Sequence, residues 1–364
     1  MKYYKLKVLG VFAFLLGFMA QAHISETGRY TKQKRLKKEF DVNASVVLEV
    51  DNSYGDVNIT TWNQDKITME IIVKVSGSDE DAVLDQLREI DINFQASPSK
   101  VTAKTIYGEA ESSWWQKLAS SWNSSNYKKE ITYTIKMPRT GSIDIKNDYG
   151  SIAVDEIDGN SKIRCDYGQL TLGKLNGRDN QLFFDYTNNS SIDFINRGTL
   201  KADYSSFELI QGNDVVLQAD YTKANISNID ILDYRCDYGN MRIGTANSLE
   251  GNGDYFDLRI QHIGKTARLK SDYGKINIGT TLPRTQLVDI TADYTQVQIG
   301  YDPKHEFVFN LYSDYGSLKT DAEVRIDRNE SNTKQNSGFH LNANSANKIS
   351  VRTDYGGIKL LKKE

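Results

Sequence analysis

From residue 148 onward the chain repeats one pair of chemically capable residues, an aspartate followed by a tyrosine. The pairs are Asp148-Tyr149, Asp166-Tyr167, Asp185-Tyr186, Asp203-Tyr204, Asp220-Tyr221, Asp237-Tyr238, Asp254-Tyr255, Asp272-Tyr273, Asp293-Tyr294 and Asp314-Tyr315, with a late copy at Asp354-Tyr355. Carboxylates brought side by side supply hard oxygen ligands for calcium. They also supply the paired acids that cleave glycosidic bonds. Tyrosine rings can serve as platforms for sugars.

Few other residues compete with them. Trp114, Trp115 and Trp122 sit in a polar insertion from Ser112 to Lys129 and are the candidate ligand-binding residues, since exposed aromatics in a loop mark a contact surface. The alternative is a short helix that tucks these tryptophans over an open end of the fold. His23, His262, His305 and His340 are isolated, and none lies in a metal-ligand spacing. No GxSxG elbow, HExxH or phosphate loop occurs. The expectation is no enzyme, no catalytic residue, no cofactor and no metal.

The elements that would position the pairs follow from their spacing. Successive tyrosines are separated by 18, 19, 18, 17, 17, 17, 18, 21 and 21 residues, then 40. Around Tyr167, Ile163 and Cys165 precede at period two, and Leu170 and Leu172 follow; Leu269, Ser271, Ile276 and Ile278 fill the same slots around Tyr273. Period two means a strand with one buried face. The phase slips by one residue near a position often filled by glycine (Gly150, Gly168, Gly239, Gly274, Gly316), which tolerates a tight bend or bulge. Each repeat therefore reads strand, corner, strand, turn. The expected fold is all-β, a right-handed parallel β-helix or β-solenoid with 17–21 residues per coil. An antiparallel sheet with one hairpin per repeat is the alternative.

Within such a coil the tyrosines fall on the same parity as Ile, Leu and Val, so they are expected inside, as a structural repeat. On that reading Tyr221→Ser should destabilise the fold. The aspartates would form a column one strand spacing apart, where like charges repel. The expected compensation is backbone N–H donated to each carboxylate at the corner, with a calcium column as the alternative. Cys165 and Cys236 occupy one slot in coils four apart, a separation of roughly 19 Å at about 4.8 Å per strand. Two buried free thiols are expected.

The ends are less regular. LEVDNSYGDVNI, residues 48–59, carries the motif once, with Val50, Asn52, Tyr54, Val57 and Ile59 in the five slots. Residues 40–137 are expected to form a strand-rich N-terminal unit with a helix over 79–90, in which Ser78 and Asp81 form a capping start. Residues 138–361 form the solenoid, with a long polar loop over 327–346 and a final coil from 349–361.

Residues 1–22 carry Lys2, Lys5 and Lys7, an apolar run from Val8 to Met19 and the step Ala20-Gln21-Ala22, the pattern of a cleaved signal peptide. An uncleaved membrane anchor is the alternative. Removing this segment deletes three lysines and no acid, taking the net charge from −3 to −6. A mildly acidic chain without a basic block offers nucleic acid nothing to hold, and no later segment reads as a membrane helix. The mature chain is thus expected in the periplasm or on the cell surface.

The block VVLEVDNSYGDVNITTW, then TMEIIVKV, the short helix, YTIKMP and the DYGxLxLG units resemble the bacterial "putative adhesin" family with β-strand repeats, related to autotransporter-adhesin head domains. The resemblance covers roughly residues 45–360. It implies a right-handed β-helix-like domain in an envelope or surface protein, and it carries no catalytic residues. The expected function is non-enzymatic binding or scaffolding in the cell envelope, with an unknown envelope protein or glycan as partner. The alternative is a glycan-binding or glycan-cleaving β-helix protein.

Overall fold

The computed structural model describes residues 30–108, 127–330 and 334–363; the signal segment and Trp114, Trp115 and Trp122 lie outside them. Each Asp-Tyr repeat contributes one strand before the tyrosine and one after it. Ser161–Asp166 lies parallel between Ser142–Asp148 and Asn180–Asp185, with Asp148, Asp166 and Asp185 in register. Leu170–Leu175 lies parallel between Ile152–Ile157 and the start of Ser190–Asp203. Further along, the second strand of one coil runs into the first strand of the next, as in Lys223–Asp237 and Phe256–Asp272. The result is a long unclosed sheet in two parallel columns that meet at the tyrosine corner.

Alternation along each strand sends one face inward. Ile163, Cys165, Leu170, Leu172 and Leu175 are buried in one coil, and Leu182, Phe184, Ile192 and Ile195 in the next. The slot two before the tyrosine is buried throughout and mostly small, as at Cys165, Ala202, Ala219, Cys236 and Ala292, because it lies where the two columns converge. Cys165 and Cys236 are buried free thiols. Burial pushes the Cys165 thiol up to about 12, and Cys236 also upward, so neither is a nucleophile at neutral pH.

The tyrosines correct the sequence reading. They point outward, not into the core: their exposure runs from 41% at Tyr149 to 66% at Tyr315. Parity fails because the phase slip occurs at the tyrosine itself. Tyr149, Tyr167, Tyr186, Tyr204, Tyr221, Tyr238, Tyr255, Tyr273 and Tyr294 all have φ between 46° and 59°, and Tyr54 has 64°. This left-handed backbone turns the side chain out of the strand's alternation. The following glycine has a different job: a Cβ on Gly168 would lie 2.0 Å from the Gly150 carbonyl oxygen, so it permits close stacking of one corner on the next.

Both ends depart from sequence order. Val47–Ser53 and Val57–Trp62 form a coil directly on Ser142–Asp148 and Ile152–Ile157. The residues between wrap its outer side. Lys100–Tyr107 pairs with Val47–Ser53, and Lys128–Pro138 with Val57–Trp62. Antiparallel strands Lys66–Gly77 and then Tyr30–Asp41 extend from the second of these, and Ile90–Ser97 extends from the first. The helix Glu80–Glu89 buries Val83 and Leu87, and its cap is Asp79, which accepts from the Ala82 amide, not the Ser78/Asp81 pair.

At the other end, Lys348–Thr353 lies between Leu287–Asp293 and Phe307–Ser313. Ile358–Lys362 likewise lies between Gln296–Tyr301 and Leu318–Thr320. The last coil in sequence is therefore inserted as the penultimate coil in space. The polar stretch expected as a loop over 327–346 instead contains a hairpin. Arg325–Glu330 pairs antiparallel with Gln335–His340, which caps Phe307–Ser313 in turn.

Candidate functional site: an outward tyrosine ladder

The corners place twelve tyrosine rings in one column, in the order Tyr54, Tyr149, Tyr167 and onward through Tyr294, Tyr355 and Tyr315. Neighbouring rings are stacked with centroids 4.6–5.4 Å apart and planes within 8°. At one ring per strand spacing the column is roughly 50 Å long. Each inner ring has both faces covered by its neighbours, so the column shows ring edges and hydroxyls to solvent. Sugar stacking needs an open face, and the inner ladder has none to give.

The two terminal faces are also occupied. Tyr107 lies edge-on to Tyr54, 6.4 Å away at 85°. At the opposite end the Lys334 ammonium sits 3.8 Å from the centre of the Tyr315 ring and 2.6 Å from the Asp314 carboxylate. The hydrogen bond to Asp314 holds the Lys334 ammonium above the usual lysine range. Neither cap was legible in the sequence, since each reaches the column from a segment outside the Asp-Tyr repeat.

The energetics of the column are nearly balanced. A left-handed backbone costs an L-residue with a Cβ about 1–2 kcal/mol, and an aromatic pair contributes about 0.5–1.5 kcal/mol beyond its area. Strain and stacking thus offset one another, whereas Gly or Asn would adopt the same backbone at lower cost. A residue held against its backbone preference at ten corners is an outlier that local backbone energetics do not account for.

Five of the aspartates beside the rings are tied to the backbone of the next coil. The Asp203, Asp220, Asp237, Asp254 and Asp272 amides each donate to the carboxylate one coil earlier, at 3.0–3.3 Å. Partial desolvation, with neighbouring carboxylates adding to it, pushes Asp166 and Asp272 above the usual carboxylate range. Desolvation also raises Asp185, against the Asp203 amide, which lowers it. A raised folded pKa means that the folded state holds the proton more tightly. The associated stability is present below the unfolded pKa and is lost as pH rises through the folded value. Asp185→Asn keeps an acceptor for the Asp203 amide and removes the charge. Thermal unfolding at pH 7 and pH 4 should show the variant at least as stable as the parent at pH 7, with a smaller gain on acidification. A lower melting temperature at pH 7 would contradict this.

Other candidate groups do not assemble into a reactive centre. His305 and His340 come together in the last coils, but as core. The His305 Nε2 donates to the Thr285 carbonyl, the Thr281 hydroxyl donates to its Nδ1, and the His340 Nδ1 donates to the His305 carbonyl. Among the described residues no group of three His, Cys, Asp or Glu is arranged to hold a metal ion, and no helix is long and apolar enough to cross a membrane.

A second surface feature is a polar groove on the strands after the tyrosine. Asn225, Arg242, Arg259 and Asn277 pair in register across four successive coils. The groove is also lined by Gly244 and Gln261, and no carboxylate lines it. Like charges directly opposite on adjacent strands are unfavourable, and Arg242 and Arg259 are direct register partners there.

The model of the family described as Toastrack DUF4097 matches residues 46–361. No curated protein matches the chain. Similar solved structures include a putative cell adhesion protein from Clostridium sporogenes at 12% identity, covering 91% of this chain and 100% of that one with a TM-score of 0.19. A putative lipid binding protein from Parabacteroides distasonis is 12% identical, covering 91% and 97% with a TM-score of 0.32. A putative adhesin from Bacteroides fragilis is 11% identical, covering 91% and 97% with a TM-score of 0.24.

Proposed function

The chain belongs to the Toastrack DUF4097 family, and on that footing we propose that it is a non-enzymatic binding and scaffolding protein of the cell envelope. In this reading residues 1–22 direct export and are cleaved, and the coils wind as a right-handed parallel β-helix. The tyrosine column is the contact surface, in the manner of an adhesin. The observation that carries the reading is the conformation of the column: ten tyrosines held at positive φ with their rings outward. Packing does not require them there, since small polar residues fit that backbone more cheaply.

The test is retention of the purified chain on isolated envelope material. A variant carrying Tyr186→Asn, Tyr204→Asn, Tyr221→Asn and Tyr238→Asn should be retained at least tenfold more weakly than the parent. Equal retention would remove the column from the contact surface.

A second reading is supported by the groove. Two guanidiniums without a carboxylate lining beside them, flanked by Asn225 and Asn277, suit an acidic envelope glycan, with Arg forking onto carboxylate or phosphate groups. Glycan cleavage is not part of this reading, because a cleaving site needs a carboxylate pair. Titration with acidic and neutral polysaccharides decides it: acidic chains should bind and Arg242→Gln with Arg259→Gln should abolish binding. Equal binding of neutral chains would sink it.

A further inference from the structure

We propose that the partner of the tyrosine column is the column of a second copy of this chain, the two rods lying side by side and pointing the same way. The inference rests on the contact role assigned to the column and names its occupant.

Four observations lead there. The first is size. Eleven tyrosines about half exposed offer on the order of 1,000 Å² if each side chain has about 200 Å² to bury, close to the ~800 Å² per partner of a standard interface. The second is period. The rings repeat at 4.6–5.4 Å because strands stack at that distance, and a second copy carries the same repeat over the same length. Any partner with another repeat would fall out of register within a few rungs.

The third is chemistry. Ring faces are covered, so recognition falls to edges and hydroxyls. A phenol both donates and accepts, so one row of phenols complements another, as a twofold interface requires. The fourth is that the column itself cannot be extended end to end. Tyr107 and Lys334 cover the terminal rings, so a second copy reaches the tyrosines from the side.

Charge sets the orientation. The aspartates flank the rings on one side only, the side of the preceding strand. A twofold axis across the rods would bring one aspartate column against the other. An axis parallel to the rods brings each aspartate column against the partner's opposite flank, where the position two after each tyrosine holds Lys223 and Lys275, Asp56 and Asp257, and otherwise uncharged residues. The parallel pair is therefore favoured, and equal rungs then meet.

The experiment is sedimentation equilibrium on the chain purified after export, with the quadruple asparagine variant and Arg178→Gln, an exposed residue away from both the column and the groove, as a surface control. The parent and the control should dimerise at micromolar concentration, and the ladder variant should dimerise at least tenfold more weakly. Under mild copper-catalysed air oxidation, Tyr167→Cys alone should give a disulfide-linked dimer, because equal rungs meet; the native thiols are buried. A parent that stays monomeric throughout, or a ladder variant that dimerises like the parent, overturns the proposal. A monomeric parent whose ladder variant still loses envelope retention would overturn self-association and leave the contact role standing, with a glycan, a lipid surface or another protein as occupant.

Discussion

Ending the chain at Asn347 should unfold its C-terminal coils while leaving the middle of the rod intact. Sequence order suggests that only one terminal coil would be lost. In space, Lys348–Thr353 and Ile358–Lys362 are each sandwiched between two other strands. Their removal opens a gap beneath Phe307–Ser313 and the hairpin resting on it. Ile349, Val351, Ile358 and Leu360 are each at most 1% exposed, and at about 1.5–3 kcal/mol per buried side chain the four contribute about 6–12 kcal/mol. Tyr355 also leaves the column between Tyr294 and Tyr315. Repeat arrays lose stability through nearest-neighbour interfaces, so the damage should stay local. Amide exchange should show deprotection over residues 303–347 and unchanged protection around Tyr186 to Tyr238. Unchanged protection over 303–347 would contradict the inserted order.

Phe184→Ala should cost about 3–5 kcal/mol, the usual range for removing a buried aromatic ring. Phe184 is fully buried and meets Phe207 edge-on at 5.6 Å. It occupies the narrow slot two before a tyrosine, where most coils carry a small residue, so the coil has arranged itself around the ring. Tyr186, two residues on, is 48% exposed and stacks on Tyr167 and Tyr204, and Tyr186→Asn should change stability by no more than about 2 kcal/mol because strain leaves together with the two ring pairs. Urea unfolding of both variants checks the contrast. Equal losses would mean that the two rings play the same structural part.

That contrast shows where the sequence could be read and where it could not. The coil length, the strand alternation and the parting of Cys165 from Cys236 follow from period and parity, which are local properties. Even Tyr54 was placed by its five slots, about ninety residues from the next copy. Parity misled at the tyrosine because it assumes that the strand conformation continues. A left-handed corner breaks alternation, and the neighbouring glycine was the natural residue to blame for it. The glycine instead makes room for a carbonyl, and the tyrosine turns the chain.

The inserted last coil was hidden for a different reason. The 40-residue step before Tyr355 shows that something intervenes, yet sequence order says nothing about stacking order. The ladder's caps were hidden in the same way. Tyr107 and Lys334 reach the column through long-range pairing, from an N-terminal strand and from the edge of a hairpin that reads as an Asn- and Ser-rich loop. Aspartate was half legible: backbone N–H bonds to the carboxylates were expected at the corner itself, whereas the donors are aspartate amides 17–18 residues on, brought there by coil stacking.

The central claim is that the column is maintained for contact, with little net effect on stability. The most direct measurement is equilibrium urea unfolding of the quadruple variant Tyr186→Asn, Tyr204→Asn, Tyr221→Asn and Tyr238→Asn beside the parent. Relief of about 1–2 kcal/mol of backbone strain at each site should offset five lost ring pairs of about 0.5–1.5 kcal/mol each. The account predicts a variant as stable as the parent or slightly more so. A loss of more than about 4 kcal/mol, outside that balance, would make the ladder a structural staple and contradict the claim.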